Sequence, residues 1–346
     1  MSIANINDIY MRRALYLASL GAGYVSPNPM VGAVICSPDG RIIGEGWHRN
    51  FGGPHAEVWA VRSVSEADKY LLPDSTIYVT LEPCSHYGKT PPCAKMLIDI
   101  GIGRVVVGAG DPNPKVSGRG VKMIREAGIE VVEGILAQES EELNKTFMLS
   151  QRLRRPFVTL KWAQSSDGVM DCKRDENEAA ARFSTAQSSI AVHCRRAMAD
   201  AIAVGADTAL ADNPSLTVRA LAGRNPRPVL LDRHNKLNTT NCTLLTDPRN
   251  SIHATDFGNN EELLHYLFEK EGISSILIEG GSKVLSSFIA DGLWDEAYVE
   301  TSPQVLSING RTAAPSIPLI PTKAYFWGEN RIDFYSHKKI KHVKNI

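Results

Sequence analysis

The sequence predicts two consecutive α/β domains. Short β-rich apolar runs alternate with helical stretches along most of the chain. The alternation pauses once, at a charged helical connector from Glu141 to Arg155 that Pro156 ends. With 346 residues the chain also exceeds one average domain. The boundary is placed inside the connector, giving domains 1–146 and 147–346. At 43% hydrophobic and 22% charged residues, each half can bury a core.

Asp8 to Leu20 carries apolar residues at helical spacing and stops at Gly21. After the SPNP stretch, Met30 to Ile35 reads as a strand, and the SPDG turn leads into a second, Arg41 to Trp47. Pro54 is expected to open a helix with His55 and Glu57 in its first turn. The β-rich run TIYVTL (76–81) is cut off by Glu82-Pro83. Pro91-Pro92 then opens the helix CAKMLIDIG, which Gly101 closes. The strand RVVVGA and a helix from Gly120 to Ala127 complete a three-layer unit. From Phe157 the pattern restarts with FVTLKWA, a helix near Ala186 to Met198, then AIAVG, PVLLD, SILIEGG and AYVETS. No internal repeat or low-complexity tract occurs.

Charge and cysteine usage exclude several classes. Lys plus Arg equals Asp plus Glu, 38 against 38, so the surplus a polynucleotide binder needs is absent. Arg152, Arg154 and Arg155, and the tail around Lys338 to Lys344, read as a solvated linker and terminus. No run is long enough for a signal peptide or a membrane span, so a cytoplasmic enzyme is expected. Six cysteines do not make a disulfide scaffold in a chain this long. Cys36, Cys172, Cys194 and Cys242 have no ligand-like spacing and read as packing residues.

Cys84 and Cys93 differ from these four. PHAE and EPCSHYGKTPPC supply His55, Cys84 and Cys93, three N or S ligands of the kind a catalytic zinc takes while keeping a fourth position for water. Cys93 falls at a helix start, which favours the thiolate. Zinc lowers the pKa of a bound water, and Glu57 is placed to take its proton and give it to a departing amine. H-x-E followed by P-C-x-x-C marks zinc base deaminases. Here the cysteines lie nine apart, so the match is to a variant. The alternative is a closed structural site with His86 or His48 as fourth ligand, which would have no need of Glu57 and Pro83.

PNPMVGAVI, GWH before PHAEV, TLEPCSHYGKTPPC and DPNPKVSGRG together resemble the bifunctional riboflavin-biosynthesis deaminase/reductase family. The likeness spans the chain and is densest in the first 145 or so residues. It implies a cytidine-deaminase-like three-layer α/β/α domain followed by a dihydrofolate-reductase-like α/β domain. It also implies hydrolytic deamination of 2,5-diamino-6-ribosylamino-4(3H)-pyrimidinone 5′-phosphate, and a substrate pocket lined by Asn28, His48, Lys89, Asp111 and Asn113. An amide such as Asn28 can meet the edge of a pyrimidinone, and Lys89 can meet a phosphate or a ring oxygen.

For the second half, the resemblance implies NADPH reduction of the ribosyl group of 5-amino-6-(5-phosphoribosylamino)uracil to ribityl. Lys161 falls at the family's strand-end lysine. The run RRAMADAIAVGADTALADNPSLTVR places Arg196, Thr208, Asp212, Leu216 and Arg219 at ligand-contact positions. Guanidinium forks suit a phosphate or polyol. ILIEGGSKVLSSFI sets Glu279 toward the ribose and Gly280, Gly281 and Ser282 at a helix start that can hold a cofactor phosphate. Gln164, Phe183 and, as reader of an extra phosphate, Arg233 complete the expected cofactor contacts. The family has a serine and a tryptophan where this chain has Ala181 and Phe183, which puts one substrate contact in doubt. The alternative is therefore a deaminase with a redox-inactive C-terminal scaffold. Zinc and NADPH are the expected cofactors. A small pyrimidine ribosyl phosphate is the expected partner, without nucleic acid or membrane, in a homodimer or higher homo-oligomer.

Overall fold

A computed structural model describes residues 3–86, 91–113, 117–172, 180–306 and 312–337. The chain forms two compact units, Met1–Leu153 and Arg154–Ile346.

In the first unit the elements run α1 (Ile3–Ser19), β1 (Gly32–Cys36), β2 (Ile42–Trp47), α2 (Ala56–Ser63), β3 (Thr76–Leu81), α3 (Cys93–Asp99), β4 (Arg104–Ala109), α4 (Arg119–Glu126), β5 (Glu130–Glu133), α5 (Ala137–Leu143) and α6 (Lys145–Leu153). The sheet order is β2-β1-β3-β4-β5. β1 pairs antiparallel with β2 and β3, while β3, β4 and β5 are parallel. Central strands are apolar throughout because both faces are covered. Ala33, Ile35, Ile77, Val79, Val105 and Val107 pack against α2, α3 and α4. Val34, Tyr78 and Val106 pack on the other face against Met11, Ala14 and Leu17 of α1. This is the expected three-layer unit. Its parallel strands β3 and β4 end at Leu81 and Ala109, immediately before the EPC and DPNP segments.

The second unit contains β6 (Phe157–Gln164), β7 (Val169–Asp171), α7 (Ala186–Met198), β8 (Ala201–Gly205), α8 (Ala206–Asp212), β9 (Arg227–Leu231), β10 (Ile252–Ala254), α9 (Asn260–Glu269), β11 (Ser275–Ile278), α10 (Ser282–Ala290), β12 (Glu296–Thr301), β13 (Thr312–Ala313), β14 (Lys323–Trp327) and β15 (Asn330–Ser336). Eight strands form a sheet in the order β10-β9-β8-β11-β6-β12-β15-β14, and β13 pairs with β7. The strands from β10 to β12 are parallel, and β15 and β14 close the edge antiparallel. Along β6 the side chains alternate: Val158, Leu160 and Trp162 enter the core with Leu264 and Leu267 of α9 and Leu285 and Phe288 of α10. Lys161 therefore projects from the opposite face.

Several elements depart from expectation. His55 is the extended N-cap of α2 (φ −72°, ψ 166°), so Pro54 precedes the cap instead of opening the helix. α9, β5, β10 and the β14–β15 hairpin were not among the expected elements. Cys36 and Cys242 are buried as expected, but Cys194 is exposed and Cys172 half-buried, so neither is a core packing residue.

The second unit is held at its start by a buried ion pair. Arg155 Nη1 and Nη2 meet Asp295 Oδ2 and Oδ1 at 2.7 and 2.8 Å, and Asp295 Oδ2 also accepts Val158 N–H at 2.8 Å. The side chains are 12% and 5% exposed, so removing one partner strands the other in a dry setting. Asp295→Ala should destabilise this unit by roughly 3–5 kcal/mol. Denaturant unfolding checks this; a loss under about 1 kcal/mol, typical of an exposed pair, would contradict it.

Candidate active sites

Three elements of the first unit converge on a possible metal centre. His55 caps α2, Cys84 follows the end of β3, and Cys93 is the first residue of α3. His55 Nδ1 lies 3.5 Å from Cys84 Sγ and 3.4 Å from Cys93 Sγ, and Cys93 N–H points at Cys84 Sγ at 3.3 Å. The ligand atoms all lie within 4.8 Å of one another. Hydrogen bonds from Cys93 and His55 draw the Cys84 thiol down to about 4, against burial. One imidazole nitrogen and two sulfurs suit zinc.

Two further features fit a catalytic site better than a closed one. Among the described residues this group holds three donors, not four. His48 is occupied elsewhere: Nδ1 lies 3.0 Å from Pro54 O and Nε2 3.1 Å from Asn28 Nδ2. A neutral ring with its proton on Nδ1 satisfies both, and burial favours that neutral form. Second, Glu57 is 2% exposed, and its Oε2 is buried without a hydrogen-bond partner. Burial raises the Glu57 carboxyl, so it is suited to holding a proton.

The adjoining loop is built around Glu82, a residue that the sequence marks only as the end of a strand. Its Oε1 accepts from the N–H groups of Gly120 and Val121 at 3.0 and 3.3 Å, and Oε2 from Gly118 at 2.9 Å and Asp111 at 3.5 Å. Gly120 is required here: a Cβ would lie 1.9 Å from Pro83 O. The loop bearing Asp111 and Asn113 is thus fastened to the turn bearing Cys84. Asp111 Oδ1 accepts Asn113 N–H at 2.8 Å, while burial lifts the Asp111 carboxyl to about 6. Lys89 lies outside the described residues.

In the second unit Gln164 ends β6, and Glu279, Gly280 and Gly281 follow the end of β11. Glu279 accepts Arg196 Nε and Nη2 at 3.0 and 2.6 Å, and Arg196 Nη1 donates to Thr217 O. Lys161 is half-buried on β6. Burial lowers its amine, with Glu279 and Glu300 opposing that fall. Gln164 Oε1 accepts from Trp162 Nε1 at 2.8 Å, and Phe183 is 6% exposed. Gly280 and Gly281 separate β11 from α10, which no side chain caps. A Cβ on Gly281 (φ +66°) would stand 3.0 Å from Thr208 Oγ1. A closely packed turn ahead of an uncapped helix fits a cofactor phosphate. Ser282 Oγ donates to Ala313 O at 2.6 Å, and Asp212 closes α8.

Three expected contacts are placed less simply. Leu216 is 3% exposed with its side chain in the core, and its carbonyl accepts from Arg249. Arg219 Nη1 donates to Ser215 Oγ at 2.6 Å. Arg233 Nη2 donates to Asn260 Oδ1 at 3.0 Å, at the start of α9. Glu300 and Asn330, absent from the expected set, are buried beside the Phe183–Ser184 segment.

A His/Cys/Cys group suited to zinc in a three-layer α/β unit, followed by a mainly parallel sheet with a Gly-Gly turn before an uncapped helix, fits a deaminase joined to a reductase. The first region, residues 5–109, matches the family model of the cytidine and deoxycytidylate deaminase zinc-binding region; residues 156–322 match the RibD C-terminal domain. The chain is 36% identical over 361 residues to riboflavin biosynthesis protein RibD of Aquifex aeolicus, covering 96% of this chain and 99% of that protein. It is 39% identical over 341 residues to RibD of Bacillus amyloliquefaciens, covering 90% and 88%. The solved diaminohydroxyphosphoribosylaminopyrimidine deaminase/5-amino-6-(5-phosphoribosylamino)uracil reductase of Thermotoga maritima superposes with a TM-score of 0.84 at 35% identity, covering 97% of this chain and all of that one. The chain belongs to the RibD family and carries both its deaminase and its reductase domain.

If the three donors hold the metal, Cys84→Ala should lose bound zinc, read by atomic absorption after dialysis. Retention of one zinc per chain would exclude Cys84 as a ligand.

Proposed function

We propose that His55, Cys84 and Cys93 hold zinc, and that residues 1–146 deaminate 2,5-diamino-6-ribosylamino-4(3H)-pyrimidinone 5′-phosphate. The observation that carries this is the pairing of three convergent N and S donors with the buried Glu57 carboxyl, whose Oε2 has no hydrogen-bond partner. When bound, zinc supplies Lewis acidity that activates water for attack on the amidine carbon. Glu57 takes the proton from that water and returns it to the amine, which leaves as ammonia. Asn28 presents its amide to the ring edge, with its orientation fixed by neutral His48. Asp111 and Asn113 meet the ring or ribose from a loop that Glu82 holds, and Lys89 carries the phosphate.

The same reading gives residues 147–346 the reduction of the ribosyl group of the deaminated product to ribityl. NADPH supplies the hydride. Lys161 binds or polarises the open-chain sugar, the Arg196–Glu279 pair and Arg219 fix its hydroxyl and phosphate groups, and Leu216 contributes its backbone. Gln164, Phe183, Thr208, Asp212, Arg233 and Gly280 to Ser282 form the cofactor cleft. The match of residues 156–322 to the RibD C-terminal domain favours this over an inert scaffold. Among the described residues no helix is long and apolar enough to cross a membrane. A cytoplasmic location and a homodimer or larger homo-oligomer complete the proposal.

Glu57→Gln keeps the size of the side chain but removes the base. Ammonia release should fall by about 10²–10⁴-fold while zinc content is unchanged. Near-native release by that variant would defeat the mechanism. NADPH should bind saturably, read by fluorescence titration, and Gly281→Val should weaken it by crowding Thr208 and straining a positive φ. Equal affinity in parent and variant would move the cofactor phosphate elsewhere.

A further inference from the structure

The reductase unit contains a second buried carboxylate that none of the roles above uses. Glu300 on β12 is 3% exposed and lies in register with Ala163 of β6. It lines one cavity with Lys161, Ser188, Arg195, Tyr298 and Tyr325. Its Oε2 accepts from Ser184 Oγ at 2.7 Å and its Oε1 from Asn330 Nδ2 at 2.6 Å. Asn330, 2% exposed, also donates to Phe183 O at 2.7 Å. Glu300 thus holds the Ser184 side chain directly and, through Asn330, the Phe183 carbonyl, tying the segment to β12 and β15.

Burying an anion this deeply is costly unless hydrogen-bond donors or a cation compensate it. Glu279, the other acid near Lys161, is forked against Arg196. Glu300 makes no salt bridge among the described residues, and neither does Lys161. The groups facing Lys161 are Glu279 beyond the end of β11, Glu300 and Tyr298 on β12, Arg195 and Arg196 on α7, and Tyr325 on β14. Arg195, stacked 3.7 Å from the Tyr298 ring centroid, adds positive charge to the same cavity. Glu279 and Glu300 are both counter-charges to Lys161, and Glu300 is the one without an ion pair to an arginine.

We infer that Glu300 is a positioning residue for reduction: its carboxylate is a counter-charge to Lys161 within the shared cavity and anchors the Phe183–Ser184 segment. This rests on the assignment of Lys161 to the reductase site. Burial alone pushes the Glu300 carboxyl up, but hydrogen bonds from Ser188, Ser184 and Asn330, and the charge of Lys161, bring it below its usual range. Glu300 therefore stays ionised across neutral pH. Removing its charge lowers the proton affinity of Lys161, so the lysine neutralises at a lower pH.

The test is the pH profile of kcat/KM for NADPH oxidation, measured on the full chain with the deaminated pyrimidine phosphate. In Glu300→Gln the alkaline limb should move to lower pH, with about tenfold loss on the former limb for each unit of movement. Ser184→Ala removes a hydrogen bond but keeps the charge; it should raise KM for NADPH and leave the limb in place. A Glu300→Gln profile that superimposes on the parent, or falls equally at every pH, would overturn the proposal. Lys161→Met separates the two assignments. If it is inactive while the limb of Glu300→Gln is unmoved, the role of Glu300 alone fails. If it still oxidises NADPH, the assignment of Lys161 fails and takes the proposal with it.

Discussion

The carboxylate of Glu82, set among the backbone N–H groups of Asp111, Gly118, Gly120 and Val121, joins the turn bearing Cys84 to the loop bearing Asp111 and Asn113. β3 and β4 are parallel neighbours, so their carboxyl ends open on the same side of the sheet. That topology brings the EPC and DPNP segments close but does not fix one against the other. Glu82 does so with hydrogen bonds from amides at the start of α4, where the helix dipole favours an anion. Because Gly120 has no side chain, α4 comes close enough to Pro83 for those bonds to form.

Buried acids hold loops to strands in the second unit as well. Asp295 accepts Val158 N–H and both ends of Arg155. Asp232, after β9, accepts the N–H groups of Lys236 and Leu237 and faces His253 Nε2 at 2.9 Å. Asp200 accepts Ser274 and Ser275 N–H. In each case backbone donors or a cation offset the desolvation of the carboxylate.

Elements buried on both faces were legible residue by residue. TIYVTL, RVVVGA and AIAVG are continuous apolar runs bounded by turn residues, and each forms a strand over those residues. Less apolar elements escaped. β5 is EVVE at a sheet edge, and β10 is three residues long. α9 had a readable signal: Asn259 caps it by accepting Glu262 N–H, and Leu263, Leu264 and Leu267 form its inner stripe. The grouping of His55, Cys84 and Cys93 was legible because the H-x-E and Pro-Cys motifs are chemically specific. Glu82 and Glu300 were not, because each acts through residues far away in sequence: Gly118 to Val121 for Glu82, Ser184 and Asn330 for Glu300. Leu216 has its side chain in the core, which leaves its backbone to face a ligand.

The two chemistries are complementary in sequence: the first removes an amine from a pyrimidine ribosyl phosphate, and the second reduces the sugar of what remains. The measurement that bears most directly on this is a coupled assay of the zinc-loaded full chain with the diaminopyrimidinone ribosyl phosphate and NADPH, following ammonia and NADPH together. Equal amounts of ammonia released and NADPH consumed, with NADPH oxidation lagging behind ammonia, are expected. Ammonia release with no NADPH oxidation, or NADPH oxidation that does not depend on deamination, would contradict the assignment of consecutive deaminase and reductase activities to this chain.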